Sequence, residues 1–448
     1  MNHRLQALAC GVALALAGLP GAAAAMDLMQ AWRDAGAIDP VVASARSQLA
    51  ATREKVPQAR AGLLPSVNAS AAVNRQAVDS TLRDDRYYVN PKNYAVQLSQ
   101  PLLRMQNIEA FEQSKLSVAI AEAQYTQAQQ DLMVRISQAY FDVLAAQDNL
   151  ETIRAQKRAI TEQLASAKRN FEVGTATITD QQEAQARHDL AVAQEFAALN
   201  DLEVRRAALA QLTGKPVPTL KVLRAGVEMQ PPSPAREADW TEGARNDNPA
   251  VVQARVASEI ARREVERQRY GHYPTVDLVS SLSRQASSLP QGSTYTSTAA
   301  TLGLQLSVPL YAGGGIDARV REAANLRDKA LSDLENARRV AEQGARTAFL
   351  GVNSGLAQVK ALEAAEKSSQ LALDSNLLGY QVGVRINIDV LNAQQQVYTT
   401  RRDLAKARYD VLVNGMKLKA TTGALSEADL ETVGALLDAA PAASSSTR

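Results

Sequence analysis

Two spacings of apolar residues alternate along the chain. The first has period two. Leu302, Leu304, Leu306, Val308 and Leu310 alternate with Gly303, Gln305, Ser307 and Pro309, and Tyr94, Val96 and Leu98 alternate with Ala95, Gln97 and Ser99. Val67, Ala69, Ala71 and Val73 stand against Ser66, Asn68, Ser70 and Asn74, as Val276 and Leu278 do against Thr275 and Asp277. These four segments predict β-strands with one apolar and one polar face. The second spacing is a narrow stripe on one helix face: Ile136, Tyr140, Val143, Leu150, Ile153, Ile160, Leu164 and Phe171, with alanine, glutamine and charged residues around it. That is coiled-coil patterning rather than the wide apolar face of a helix buried in a globular core.

The breakers set the lengths. No proline lies between Pro101 and Pro216, and the only glycines there are Gly174 and Gly214. A helix is therefore predicted from Asn107 to Val173, 67 residues, about 100 Å at a rise of about 1.5 Å per residue. A second proline-free run, Leu310 to Ala440, predicts a long helix from about Ile316 to Leu378, with local weakness expected at Gly344, Gly351 and Gly355. Gly313-Gly314-Gly315 lacks the Lys-Ser/Thr of a phosphate loop and reads as a strand-to-helix swivel.

The chain is duplicated. Pro40, Val42, Ala45 and Arg46 recur as Pro249, Val251, Ala254 and Arg255 at an offset of 209. The same offset maps Pro65 to Pro274, Arg75-Gln76 to Arg284-Gln285, Val173-Gly174 to Val382-Gly383, Asp180 to Asp389 and Thr213-Gly214 to Thr422-Gly423. Each copy reads helix, two strands, long helix, tight turn, helix. Length alone would suggest about three domains, but the repeat divides the chain differently. The expected divisions are a signal peptide at 1–25, repeat one at 26–214, a linker at 215–240, repeat two at 241–424 and a tail at 425–448. Pro216, Pro218, Pro231, Pro232 and Pro234 give the linker its composition.

Residues 1–25 carry His3 and Arg4, an apolar stretch from Leu5 to Leu19, Pro20, and small residues ending in an Ala-x-Ala site at Ala23 and Ala25. They read as a cleaved secretory signal with Met26 as the mature start. Removal takes away Arg4 and Cys10, leaving a mature net charge of +1 and no cysteine. The near balance of 49 Lys+Arg against 47 Asp+Glu argues against a nucleic-acid partner. No later stretch is apolar enough for a transmembrane helix, so any membrane crossing falls to the strands. Lipid-facing strands must close into a barrel of at least about eight. Four per chain therefore require an oligomer. The alternative is a soluble periplasmic coiled-coil structural or adaptor protein with an ordinary amphipathic sheet.

Catalysis and cofactors find no support. His188 and His272 stand without cysteine or a ligand-spaced carboxylate pair, and no Ser/His/Asp arrangement can be assembled. No enzyme activity, metal or cofactor is expected.

The signal, the repeat, the strand-Pro-helix junctions and the paired turns carry a resemblance. The turns are Phe171-Glu-Val-Gly-Thr-Ala-Thr-Ile-Thr-Asp180 and Tyr380-Gln-Val-Gly-Val-Arg-Ile-Asn-Ile-Asp389. Together these features resemble the TolC-type outer-membrane efflux and type I secretion channels. The resemblance implies a homotrimer in the outer membrane that extends into the periplasm. Its fold would combine a twelve-stranded transmembrane β-barrel with a twelve-helix α-barrel. It also implies an equatorial belt, for which the linker and tail are candidates, and an inner-membrane ABC or proton-driven transporter with a periplasmic adaptor docking at the helical tips.

Each tip also has a plain physical reading. Gly174 and Gly383 fit left-handed helix C-caps that reverse the chain, next to Val173 and Val382. Asp180 and Asp389 fall where a carboxylate caps or sits in the first turn of the next helix. The resemblance adds that Asp389 forms a ring of carboxylates at the pore mouth, with Asn392 at the family's second acidic position, a departure that should weaken cation selectivity. It further implies a closing latch of Tyr380 and Arg385 on Thr179 and Asp180. The segments Ala77 to Lys92 and Ala286 to Ser297 are expected as external loops.

Overall fold

In the computed structural model, residues 25–80, 83–175, 177–224, 226–288 and 293–438 are described. All but the last residue of the predicted signal peptide, residues 289–292 of the expected second loop and the last ten residues of the tail lie outside them. In chain order the elements are α1 (Leu28–Ile38), α2 (Pro40–Arg53), α3 (Lys55–Ala61), β1 (Ser66–Val73), β2 (Gln76–Ser80), β3 (Arg83–Val89), β4 (Lys92–Leu103), α4 (Met105–Glu172) and α5 (Ile178–Thr213). Then follow β5 (Val222–Leu223), α6 (Glu237–Asp247), α7 (Pro249–Arg269), a 3-10 turn at Tyr270–His272, β6 (Thr275–Ser288), β7 (Thr294–Ser307), α8 (Gly315–Gln381), α9 (Asn387–Thr421), α10 (Glu427–Gly434) and β8 (Leu437–Asp438). The two long helices, α4 with 68 residues and α8 with 67, form where proline is absent. None of the described helices is long and apolar enough to cross a membrane.

Contacts divide the chain into two units, each drawing on both repeats. One holds Ser44–Thr126 and Pro249–Val340. Its center is an antiparallel sheet in the order β1-β4-β6-β7. The registers run Ser66↔Ser99 through Val73↔Lys92, Lys92↔Ala286 through Pro101↔Asp277, and Thr275↔Ser307 through Ser288↔Thr294. A bulge follows Pro101, which has no N–H for the ladder. β1 is exposed at every position, and Leu302, Leu304 and Leu306 on β7 are 74%, 69% and 64% exposed. Among the described residues most of the sheet's apolar face is exposed, and β1 and β7 are open edges. β6 has 14 residues, more than the roughly 9–11 that a tilted strand needs to span a bilayer.

Two expectations change here. Val308 and Leu310 lie beyond β7, which stops at Ser307 ahead of Pro309. The segment Ala77 to Lys92 is not an open loop, because β2 and β3 pair as a hairpin with Ala77↔Tyr88 and Val78↔Tyr87 in register. Val78, Tyr87, Tyr88 and Val89 have the β-branched and aromatic side chains that favor a pleated surface, and the Arg75 guanidinium lies 4.9 Å from the Tyr88 ring center.

At the base of the sheet Arg104 makes two parallel hydrogen bonds to Asp277, Nε to Oδ1 at 2.9 Å and Nη2 to Oδ2 at 2.7 Å. Asp277 is buried. This fork-to-carboxylate geometry ties the end of β4 to the start of β6.

The other unit holds residues up to Ala43, Gln127–Asn248 and the chain from Ala341. Of the predicted stripe, Ile136, Tyr140, Val143, Leu150, Ile160 and Leu164 are buried, Ile153 is half-buried and Phe171 is exposed. On α5 the buried positions Ala184, Ala191 and Ala198 recur every seven residues, and Leu164, Ala167 and Ala184 form one apolar cluster. Alanine at the seam lets the helices approach closely. α8 runs unbroken through Gly344, Gly351 and Gly355, as a helix that tolerates them should. At Gly355 packing calls for glycine: a Cβ there would stand 2.8 Å from the Val411 Cγ2 of α9.

Linker and tail meet. β5 pairs with β8, Met26 bridges Leu220, and the Tyr140 hydroxyl lies 3.0 Å from the Met26 carbonyl and 2.9 Å from that of Lys221. Trp240 packs with Phe349, Val352 and Leu418.

Candidate functional site

The two hairpin turns are built alike. Gly174 and Gly383 have φ of +77° and +78°, the left-handed conformation that glycine adopts without a Cβ penalty. Past Gly174, the Thr175 N–H donates to the Asn170 carbonyl at 2.8 Å, and past Gly383 the Val384 N–H donates to the Gly379 carbonyl at 2.9 Å. Both satisfy carbonyls that the helix end leaves open. Val173 is exposed at the first turn, and Val382, Val384 and Ile386 form an exposed apolar patch at the second.

The helices that leave the turns start differently. At α5, Thr177 and Asp180 close a capping box: the Asp180 N–H donates to Thr177 Oγ1 at 3.2 Å, and the Thr177 N–H donates to Asp180 Oδ2 at 3.0 Å. At α9 the cap residue is Ile386, which offers no side-chain acceptor, and Asp389 sits in the first turn with Arg385 Nη1 3.6 Å from its Oδ2. A carboxylate there complements the positive end of the helix dipole.

Among the described residues the four latch candidates do not converge within one chain. The Tyr380 hydroxyl accepts from Asn170 Nδ2 at 3.3 Å, Arg385 faces Asp389, Asp180 is held by Thr177, and Thr179 is exposed. Asn392 accepts a hydrogen bond from Arg187 Nη2 of α5 at 3.1 Å.

Several contacts at this end were not read from the sequence. Gln163 donates to Asn387 and Gln156 to Gln395, so buried or half-buried amides join α4 to α9 below the turns. Asn170, Gln163 and Gln156 are spaced by seven on the face next to the apolar stripe. That heptad spacing is the signal in the sequence, and polar residues at such positions specify helix register. No group of three or more His, Cys, Asp or Glu suited to a metal occurs among the described residues. His188 Nδ1 lies 3.3 Å from its neighbor Asp189, and His272 lies 3.3 Å from Asp317.

The family model of outer membrane efflux proteins matches residues 21–215 and 240–424, and the chain belongs to this family of outer-membrane channels, which are not enzymes. It is 32% identical over 432 residues to the outer membrane protein TolC of Escherichia coli strain K12, covering 94% of this chain and 86% of that relative. It is 32% identical over 420 residues to the alkaline protease secretion protein AprF of Pseudomonas aeruginosa, covering 92% and 87%. Among solved structures, that of CusC matches with a TM-score of 0.79 at 16% identity over 89% of this chain and 92% of that one, a likeness of fold.

Proposed function

We propose that this chain is the outer-membrane exit duct of a tripartite export system, a passive conduit for secreted proteins, drugs or both. The observation that carries the reading is the sheet β1-β4-β6-β7: among the described residues its apolar face is largely exposed and its two edges are unpaired, in a chain of the outer membrane efflux family. In lipid every backbone polar group needs a partner, so such a sheet must close, and twelve strands from three chains make a closed barrel. The same threefold assembly gathers α4, α5, α8 and α9 into a twelve-helix tube, with the linker and tail as its belt.

Energy comes from partners, an inner-membrane ABC or proton-driven transporter and a periplasmic adaptor that meets the tips around Val173, Gly174, Val382 and Gly383. At the tips Asp389 forms the acidic ring. Tyr380 and Arg385 latch onto Thr179 and Asp180 of the neighboring turn to hold the duct closed. AprF is by name a protease secretion protein, which supports protein cargo without excluding small molecules. Fractionation tests the reading. Recovery from outer membranes as a heat-dissociable trimer resistant to dodecyl sulfate is expected, and a soluble periplasmic monomer would overturn it.

A further inference from the structure

Asp389 and Asn392 stand three residues apart on α9, on the same face and about 4.5 Å apart along the axis. Each is met by an arginine, with different consequences. Arg385 faces the Asp389 carboxylate at 3.6 Å within the chain, an exposed contact. Arg187 reaches from α5 to the Asn392 amide oxygen at 3.1 Å, which fixes the guanidinium without neutralizing it. No carboxylate pairs with Arg187 among the described residues. Asp180, the acidic residue nearest the start of α5, is occupied in its capping box.

We propose that Arg187 determines the charge selectivity of the entrance. The inference rests on the duct reading above. In a threefold assembly the ring of Asp389 is followed, about one helical turn deeper, by a ring of three guanidiniums braced on three Asn392 amides. An aspartate at 392 would pair with Arg187 and cancel it, whereas asparagine holds it in place and leaves its charge uncancelled. These guanidiniums stand against the negative ring of Asp389 about one turn away and counter part of its charge. The entrance therefore prefers cations less than the Asp389 ring alone would make it, and admits anionic solutes such as carboxylates and phosphates more readily.

The test is the reversal potential of the purified full-length protein in planar bilayers under a potassium chloride gradient. Arg187→Gln should move the potassium-to-chloride permeability ratio toward cations by about threefold, the size expected for three charges within a Debye length of the axis. Asn392→Asp, an exposed and nearly isosteric change, should move it the same way, while Arg187→Lys should stay close to wild type. An unchanged reversal potential in both Arg187→Gln and Asn392→Asp, with heat-dissociable trimers still formed and conducting, would overturn the inference and leave the duct reading intact. If wild type forms no conducting channel, the duct reading falls and takes this inference with it.

Discussion

The Tyr409 hydroxyl donates to Asp148 Oδ2 at 2.6 Å and ties α9 to α4 inside the helical unit. Phe141 stacks on the Tyr409 ring at 5.6 Å between centers, and Tyr140 meets Phe141 edge-on at 5.7 Å. In a chain with 4% aromatics this concentrates three rings on one bond. Burial pushes the Asp148 carboxyl above the ordinary carboxylate range, against the lowering by the Tyr409 hydroxyl, and nearby Glu151 adds to the rise. A raised native pKa means the folded state holds the proton more tightly. The stabilization from this group is full below the unfolded carboxylate value and is lost as pH rises through the native one. Raising the pH from about 4 to about 7 should therefore lower the unfolding temperature of wild type relative to Asp148→Asn. Parallel pH profiles would contradict this. Tyr409→Phe should cost about 1–3 kcal/mol, because it leaves a half-buried carboxyl oxygen without its donor.

Gly355→Ala should destabilize the protein although alanine is the better helix former by about 1 kcal/mol. The added methyl would press on Val411, a branched side chain with little room to turn. A lower unfolding temperature is expected. The paired change Gly344→Ala, at a site with nothing within 4 Å of the added atom, should raise it or leave it unchanged. Equal shifts at both glycines would show that propensity alone decides.

Asp277→Ala should weaken the junction of sheet and helix by about 1–3 kcal/mol, the scale of a charge-assisted, two-point hydrogen bond. Asp277→Asn should lose less, since the amide oxygen still accepts from Arg104. The temperature at which the protein unfolds or dissociates reports both, and an Asp277→Ala protein as stable as wild type would remove the pair from the account.

At the tips, Arg385→Ala combined with Tyr380→Phe should raise single-channel conductance by releasing the latch between neighboring turns. Exposed ion pairs are worth at most about 1 kcal/mol each, but three symmetric copies bias a gating equilibrium by a few kcal/mol. Unchanged conductance would sink the latch. Asp389→Ala should abolish block by trivalent cations, and persistent block would remove Asp389 from the entrance.

The long helices were legible because nothing between Pro101 and Pro216 interrupts them except Gly174 and Gly214, and both turn glycines adopt the left-handed conformation their position suggests. The four strands of the main sheet were legible from period-two spacing. The hairpin β2/β3 was not, since Asp79 and Arg83 to Arg86 disguise its alternation with charge. Partners across elements were out of reach for a physical reason. Alternation assigns Asp277 to a polar face but cannot say that Arg104, 173 positions away, closes on it. Heptad spacing marks Gln163 and Asn170 as seam residues, yet the register of α4 against α9 decides whether Gln163 finds Asn387. Arg187 reads as an ordinary solvated arginine until α5 and α9 are set side by side.

The central claim is that three copies of this chain close one water-filled path through the outer membrane. Single-channel recording of the purified protein in planar lipid bilayers tests it most directly. Discrete, uniform conductance steps from the heat-dissociable trimer, absent after heat dissociation, are the predicted result. A protein that inserts no channels and remains a soluble monomer would contradict it.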